Sequence, residues 1–368
     1  MNNRINILYA FLVLFVLCLA SSCVKEDDDS PLPPPVETPL YAKGVLIPSE
    51  GQFGSGSGAV SFYDRETNVV ENEIFARVNT ESLGSVVQSV NVFQDKIFVV
   101  VNGANKVVQA NAETFSLEGT ITGLEQPRHF LGVDDDVSYV SQWGADGLTS
   151  SVAIVQTANL AIINTIPTPS GADKMLLVAD KVWVLCSGGF GRENKVAIIN
   201  IVKGEVVAEV EVRFAPRSIT KDANGKIWVA CTGNVYDEND NENGALIRIN
   251  ANTFMIEEIL DLGSTVQDFN FDMVTNNTKT DLFYNFGGAI YRQPIGEATV
   301  DTTPFINGSN VLSLYGLSYD SVSNALYISD AKDFASDGEI QRYDADSGAF
   351  IDAFTVKVAP NGNCFFGE

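Results

Sequence analysis

The sequence predicts an all-β protein, a seven-bladed β-propeller of four-stranded antiparallel blades. A short β-rich run recurs seven times along the chain. The runs start roughly 40 to 54 residues apart, which is the length range of a four-stranded propeller blade. No segment shows a sustained helical period with capping residues. An array of β-sandwiches is the competing fold, but its domains would not share a blade-length repeat, so the propeller is favoured.

Each repeat begins with an apolar run, which we interpret as the innermost strand of a blade. The seven runs are residues 44–48, 97–101, 137–141, 182–186, 227–231, 281–285 and 326–330.

A polar loop rich in Gly or Asn follows each run and leads into a second, alternating strand, as in residues 106–111 and 195–200. A third strand follows a short turn, as in residues 206–212. The fourth strand ends in a polar turn, such as residues 222–226, before the next innermost strand. The two chain ends should meet to close the ring, and either terminal strand could complete the last blade.

Residues 1–22 have the features of a signal peptide. Arg4 precedes an apolar run over residues 5–20, which is short for a membrane span. Ala20, Ser21 and Ser22 then precede Cys23. This stretch resembles the lipobox of bacterial lipoproteins, which implies cleavage before Cys23 and lipidation of that cysteine. A plain secretory signal cut nearby is the alternative.

Residues 23–40 are interpreted as an acidic, proline-rich tether, and residues 41–368 as the propeller. Lys25 and the acids at residues 26–29 resemble the signal that sends some lipoproteins to the outer face of the outer membrane. The prolines between residues 31 and 39 favour an extended spacer. The predicted location is therefore the outer membrane, facing the cell exterior, with the lipid as the anchor.

The chain is strongly acidic, with 23 Lys and Arg against 47 Asp and Glu and a formal net charge of -24. Such a surface repels phosphate backbones, which argues against nucleic acid as a partner. A single histidine, His129, argues against a His-rich metal site or a Ser-His-Asp triad. Cys186 and Cys231 end the same strand in adjacent repeats, where buried thiols are favoured and a disulfide between them stays open.

The loops after the innermost strands, and the turns that lead into the fourth strands, should lie on one face of the propeller because strands alternate in direction. The aromatic residues of these loops are Phe53, Trp143, Phe190, Tyr236, Phe286 and Phe334. The polar and aromatic residues of the turns are Gln88, Arg128, His129, Lys174, Arg217, Gln267, Asp268 and Tyr315. Together they suit a large, partly apolar ligand, with rings supplying area and polar groups supplying orientation. Alternatively, the aromatics pack their own loops and the cations pair with nearby acids.

Residues 237–244 follow part of the spacing of an EF-hand calcium loop. The bidentate acid expected at the twelfth position is replaced by Asn250. A Ca²⁺ site made from Asp237 and Asp240 therefore stays the alternative to a solvated hairpin tip.

Two stretches carry a resemblance to known families. Residues 99–108 resemble the repeats of YVTN/YncE-type propellers, and residues 48–64 look like the first blade of DUF5074 surface lipoproteins. That group includes the BtuG-type proteins, so the resemblance implies a propeller that binds cobalamin at the cell surface and passes it to a TonB-dependent transporter. The fold does not identify the ligand, because propellers host many functions.

Three functions are compatible with these features. The first is a surface protein that binds a nutrient, with cobalamin or a related corrinoid implied by resemblance, and hands it to the transporter. The second is a propeller that binds glycan or protein. The third, a propeller lactonase or lyase, is less favoured because the inner positions show no convergent cluster of acids or histidines. We therefore predict a protein that is not an enzyme, with no catalytic residue and no resident metal or cofactor.

Overall fold

Seven antiparallel sheets build the part of the chain that the structure describes, a computed structural model covering residues 41, 43–234 and 242–365. All of these residues belong to one unit of the chain, Pro39–Glu368. Six sheets have four strands and one has three, so the predicted seven-bladed β-propeller is confirmed.

In every blade the strands follow one another from the axis outward. Blade 1 contains β27 (Cys364–Phe365), β1 (Val45–Ser49), β2 (Ala59–Tyr63) and β3 (Val70–Glu71). Blade 2 contains β4 (Val87–Phe93), β5 (Lys96–Val101), β6 (Lys106–Asn111) and β7 (Leu117–Ile121). Blade 3 contains β8 (Pro127–Gly132), β9 (Val137–Gln142), β10 (Ser151–Gln156) and β11 (Ala161–Pro167). Blade 4 contains β12 (Ala172–Val178), β13 (Lys181–Cys186), β14 (Lys195–Asn200) and β15 (Glu205–Glu211).

The remaining blades have the same order. Blade 5 contains β16 (Pro216–Lys221), β17 (Ile227–Cys231), β18 (Ala245–Ile249) and β19 (Ile256–Asp261). Blade 6 contains β20 (Met273–Thr275), β21 (Asp281–Phe286) and β22 (Ala289–Pro294). Blade 7 contains β23 (Leu314–Asp320), β24 (Ala325–Asp330), β25 (Glu339–Asp344) and β26 (Phe350–Thr355). The described helices are α1 (Ile74–Asn79) and two 3-10 turns, Asn102–Ala104 and Gly308–Asn310.

The apolar runs at residues 97–101 and their equivalents form the second strand of each blade, so their assignment as innermost strands is wrong. The strand interpreted as the fourth of one repeat, such as β8 or β16, is instead the innermost strand of the next blade. β5 is buried along almost its whole length, whereas β4 is mostly half-buried. Second strands are the most apolar because blades cover both of their faces, while innermost strands border a channel. Apolarity therefore marks the strand packed between neighbouring blades and not the strand nearest the axis.

The C-terminal strand closes the ring. β27 pairs with β1 through Val45–Phe365 and Leu46–Cys364, and supplies the innermost strand of blade 1. The contact continues beyond the strand, where the N–H of Glu50 donates to the carbonyl of Ala359 at 2.9 Å. Blade 1 thus takes three strands from the beginning of the described chain and one from its end.

The core lies between blades rather than in a single centre. One cluster joins Trp183 and Val196 of blade 4 to Ile227 and Val229 of blade 5. Cys186 and Cys231 are buried free thiols in two different clusters, so they do not form a disulfide. Among the described residues, no helix is long and apolar enough to span a membrane.

Candidate functional site

Five innermost strands carry a β-bulge near their first residue. In β4, Val87 pairs with Val101 and Ser89 with Val100, so Gln88 is the extra residue. The residues between the paired positions of the five strands are Gln88, Arg128 and His129, Asp173 and Lys174, Arg217, and Tyr315. A bulge re-aims the side chain that it leaves out of the ladder. We call Gln88, Arg128, Asp173, Arg217 and Tyr315, one residue from each bulge, the polar ring.

Arg128 contacts two other members of the polar ring. Its Nη1 donates to Oε1 of Gln88, and its Nε lies 3.3 Å from Oδ2 of Asp173. The guanidinium carbon also lies 4.1 Å from the centre of the Trp143 ring, a cation–π contact. Three blades therefore meet at one guanidinium, which also contacts the Trp143 ring.

Asp173 is buried and holds His129 as well as Arg128. The Nε2 of His129 lies 3.1 Å from Oδ1 of Asp173. Burial alone would raise the pKa of Asp173, but Arg128, His129 and Arg217 outweigh burial and hold this pKa well below its usual range. Burial lowers the pKa of His129, although Asp173 opposes the effect. The pair is therefore an ionised carboxylate with a neutral imidazole near pH 7.

Glu50, which was not predicted from the sequence, completes the arrangement from blade 1. Its Oε2 accepts a hydrogen bond from the Tyr315 hydroxyl at 3.1 Å, and its Oε1 accepts one from Nδ2 of Asn361 at 3.1 Å. Burial raises the pKa of Glu50, even though both hydrogen bonds and the charge of Arg128 lower it. Burial and the neighbouring Glu50 raise the pKa of Tyr315. The sequence signal for Glu50 is an acid two residues after the first apolar run, residues 44–48.

A channel of about 260 Å³ lies among the innermost strands. Inside it, the Lys174 ammonium pairs with Asp272, a buried carboxylate that also accepts a hydrogen bond from the N–H of Leu317 at 3.2 Å. Lys174, Asp272 and Leu317 come from blades 4, 6 and 7, so this contact ties three blades together across the axis.

A larger cavity of about 690 Å³ opens above blades 4 to 6, and we call it the upper cavity. Its described lining includes Phe190, Arg217, Gln267 and Asp268, all predicted, together with Phe269, which was missed. Phe190 and Phe269 expose 68% and 70% of their surface. Burial raises the pKa of Asp268, although hydrogen bonds from Asn285 and the backbone of Gly288 lower it. The cavity therefore presents large apolar faces beside a carboxyl, an amide and a guanidinium.

Some of the predicted aromatic residues form two clusters of rings in contact, and the others lie apart from both. Trp143 and Phe190 are in edge contact, with ring centres 5.8 Å apart. On the other side, Phe334 lies 5.1 Å from Tyr315 and 4.9 Å from Phe269. Each cluster joins the polar ring to the upper cavity. Trp143 contacts Arg128 of the ring and Tyr315 belongs to it, while Phe190 and Phe269 line the cavity.

Phe286 and Phe53 are not among the described lining residues of the upper cavity. Phe286 packs against Tyr291 within blade 6, with ring centres 6.1 Å apart. Phe53 projects from the loop between β1 and β2 and is 93% exposed. Tyr236, the proposed calcium ligands Asp237 and Asp240, and Cys23 lie outside the described residues. Within the described ranges, no group of three His, Cys, Asp or Glu residues could hold a metal ion.

Solved structures similar to this chain share its fold at low sequence identity. A quinonprotein alcohol dehydrogenase-like protein from Bacteroides thetaiotaomicron has a TM-score of 0.66 at 16% identity, covering 89% of this chain and 79% of that one. The periplasmic gluconolactonase PpgL of Pseudomonas aeruginosa has a TM-score of 0.64 at 11% identity, covering 88% of this chain and 99% of that one. A functionally unknown protein from Desulfotomaculum acetoxidans has a TM-score of 0.62 at 14% identity, covering 88% and 100%. At such identities the likeness shows the fold alone.

No curated protein matches the chain significantly. One family, described as a domain of unknown function, DUF5074, matches residues 43–363, which include nearly every strand of the ring. The chain therefore belongs to the DUF5074 family of β-propellers.

Proposed function

We propose that this protein is a lipid-anchored surface protein that binds a nutrient in the upper cavity and hands it to a TonB-dependent outer-membrane transporter. The observation that carries the binding role is the cavity of about 690 Å³ beside the polar ring. Cobalamin or a related corrinoid is the leading ligand. Its flat macrocycle matches the apolar faces, and its peripheral amides match the polar groups.

The exposed phenyl rings support a ligand with a flat apolar surface. Phe190 and Phe269 come from different blades and line the same opening. Leaving two such rings in water is unfavourable unless a partner covers them, since each Å² of apolar area that is buried contributes roughly 25 cal/mol. Gln267 and Asp268 lie on the same wall, where they would orient the amides of the ligand.

The polar ring supports binding rather than chemistry. Arg128 and Asp173 of the polar ring are paired with each other, and Tyr315 of the ring donates to Glu50. In the channel, Lys174 is paired with Asp272. A general base or nucleophile must be available to the substrate, whereas these groups are engaged with one another. Such a network holds the walls of a binding site in one arrangement before the ligand arrives, which lowers the cost of association.

A glycan is the second candidate, because the exposed faces of Phe190 and Phe269 would also stack on sugar rings. A sugar exposes many hydroxyl groups that need hydrogen-bond partners, and a corrinoid exposes amides and a larger apolar face. Both ligands would bind the same wall, so one titration series separates them.

The test uses the chain beginning at Val24, titrated with cyanocobalamin, cobinamide and a panel of neutral oligosaccharides. We expect saturable binding of the corrinoids and a rise in melting temperature that follows RT ln(1 + [L]/Kd). Binding of oligosaccharides alone would favour the second candidate, and binding of neither would contradict the proposal.

The variant with Phe190→Ala and Phe269→Ala should weaken corrinoid binding at least tenfold, about 1.4 kcal/mol, because both apolar faces are lost. Phe350→Ala is the matched control, since Phe350 is also an exposed phenylalanine, at 59%, but lies on the outermost strand of blade 7. Equal losses in both variants would remove the upper cavity as the site.

The anchor has a separate test. Full-length protein expressed in a Gram-negative host should carry lipid on Cys23 and should fractionate with the outer membrane. The Cys23→Ala variant should lose the lipid, as measured by mass spectrometry of the N-terminal peptide. Recovery of an unmodified Cys23 in the wild-type protein would support the plain secretory signal instead.

A further inference from the structure

Blade 6 differs from the other blades at its outer edge. It has three strands, and the place of the fourth holds only a single bridge between Ile290 and Ile306. The hairpin that begins β22 pairs Phe286 with Ala289, so Arg292 and Pro294 fall at positions whose backbone groups point away from β21. In the register of the bridge, Pro304 lies opposite Arg292 and has no N–H to donate. A full fourth strand is therefore blocked.

The segment after β22 is held away from the sheet by a buried side chain. Nε2 of Gln293 donates to the carbonyls of Pro294, Glu297 and Thr299 at 3.2 to 3.3 Å. Its Oε1 accepts from the N–H of Asp301 at 3.3 Å. Gln293 is fully buried, so these four bonds fix the loop in one place. These bonds therefore hold open a space between β22 and the loop that follows it.

That space is a cavity of about 320 Å³, which we call the edge cavity, lined by Arg292, Pro294, Asp301, Thr303, Pro304 and Phe305. It lies near the end of β22 opposite to the Gly287–Gly288 hairpin. The hairpin is on the upper-cavity side, because the N–H of Gly288 donates to Asp268 at 3.1 Å. The six residues of β22 span roughly 17 to 20 Å, so the two cavities are distinct.

The edge cavity is lined by one cation, Arg292, and one anion, Asp301. The ion pairs of the described residues include none between these two side chains. Nε of Arg292 donates to Oδ1 of Asp281 at 3.1 Å, and the guanidinium lies over the rings of Phe283 and Phe305 at 5.9 and 5.8 Å. Oδ1 of Asp301 accepts from the N–H of Thr303 at 2.8 Å. Within the described chain, these contacts leave both Nη groups of Arg292 and Oδ2 of Asp301 for a ligand.

We infer that the edge cavity binds a small zwitterion with an apolar side chain, of the amino-acid class. The two Nη groups can hold a carboxylate through parallel hydrogen bonds, and the Asp301 carboxylate can accept from an ammonium. Pro294, Pro304 and Phe305 provide an apolar wall for the side chain. A zwitterion has no net charge, so the net charge of -24 on the chain does not repel it.

The experiment measures binding of L-leucine by isothermal titration calorimetry to the chain beginning at Val24, which contains every strand of the closed ring. Leucine methyl ester lacks the carboxylate and N-acetyl-leucine lacks the ammonium. We expect leucine to bind saturably and both derivatives to bind at least tenfold more weakly. Absence of saturable leucine binding, or equal binding of the ester, would overturn the inference.

Variants assign the two charges. Arg292→Gln should abolish leucine binding, and Asp301→Asn should remove the difference between leucine and N-acetyl-leucine. Arg77→Gln, at an exposed arginine of α1, is the control and should bind leucine as the wild type does. If circular dichroism shows that Arg292→Gln is unfolded, Asp301→Asn decides the outcome because Asp301 is exposed. A persisting difference between leucine and N-acetyl-leucine in Asp301→Asn would refute the zwitterion.

The variant with Phe190→Ala and Phe269→Ala should bind leucine as the wild type does, which separates this test from that of the upper cavity.

Discussion

At the scale of single residues, the charges of the polar ring stabilise the molecule only as a set. Asp173 is buried, and its negative charge is balanced by Arg128 on a neighbouring strand. Taking a charge out of water costs several kcal/mol unless a partner compensates it. The residues that shape the candidate site are therefore also residues on which folding depends.

The Arg128→Ala variant should lower the free energy of unfolding by about 3 kcal/mol, because it leaves the Asp173 carboxylate without its main partner. Urea denaturation measures the change. In the Asp173→Asn background the same substitution should cost clearly less, since an amide needs no counter-charge. Equal costs in both backgrounds would show that the two residues are not coupled.

His129 should make stability depend on pH. Burial lowers its pKa in the folded state, so the unfolded chain binds the proton more readily. The contribution of the neutral imidazole is complete above the unfolded pKa, about 6.5, and is lost as pH falls through the folded pKa. Between pH 7.5 and 5.5, the melting temperature of the wild-type protein should therefore fall further than that of the His129→Gln variant. An equal fall in melting temperature in the two proteins would show that His129 is not the group responsible.

At the scale of elements, the turn between β16 and β17 shows how a repeat is held together. Oδ1 of Asp222 accepts from the N–H of Lys226 at 2.9 Å, and its Oδ2 accepts from the indole of Trp228 at 2.8 Å. The same turn between β8 and β9 has Asp134, which accepts from the N–H groups of Asp136 and Val137 but is exposed. In both turns the Asp side chain accepts the N–H of the residue two positions later, but Asp222 is buried and Asp134 is exposed.

This pair gives a matched test. Asp222→Ala should lower the free energy of unfolding by about 2 to 4 kcal/mol, because it leaves a buried indole N–H and backbone groups without acceptors. Asp134→Ala should cost under about 1 kcal/mol, because water replaces the lost acceptor. The two melting curves are measured side by side, and a cost at Asp134 equal to that at Asp222 would mean that burial is not the cause.

At the scale of the whole molecule, stability depends on closing the ring between the two ends of the propeller. Phe365 packs against Tyr327 with ring centres 5.3 Å apart, and the β27 pairing covers the edge of β1. Without β27, blade 1 would present an unpaired edge toward the axis.

A chain that ends at Asn363 should therefore be less stable by about 2 kcal/mol, less than the roughly 3 to 5 kcal/mol for a fully buried phenylalanine because Phe365 is half-buried. The amide protons of β1 should also exchange faster, as measured by hydrogen exchange and mass spectrometry. A chain ending at Phe365 keeps both paired residues and is the control. Unchanged stability after removal of residues 364–368 would show that the ring does not depend on this strand.

The fold class, the number of blades and most of the polar ring can be predicted from the sequence alone. Seven apolar runs at blade spacing indicate seven sheets, and Gln88, Arg128, Arg217 and Tyr315 of the polar ring stand at corresponding places in their repeats. These features depend on local periodicity, which the order of residues carries directly. The second strands were nevertheless mistaken for the innermost ones, because apolarity reports burial between blades and not distance from the axis.

The packing of the blades in three dimensions sets which chain end closes the ring. It also sets which residues a bulge turns toward the axis and which partners they meet. Asp173 and Glu50 join Arg128 and Tyr315 from other blades, and Phe269 reaches the upper cavity from the segment before β20. These contacts join residues that are far apart in the chain, and a bulge adds one residue to a strand without changing its composition. Their geometry follows from how the blades pack, which no single repeat encodes.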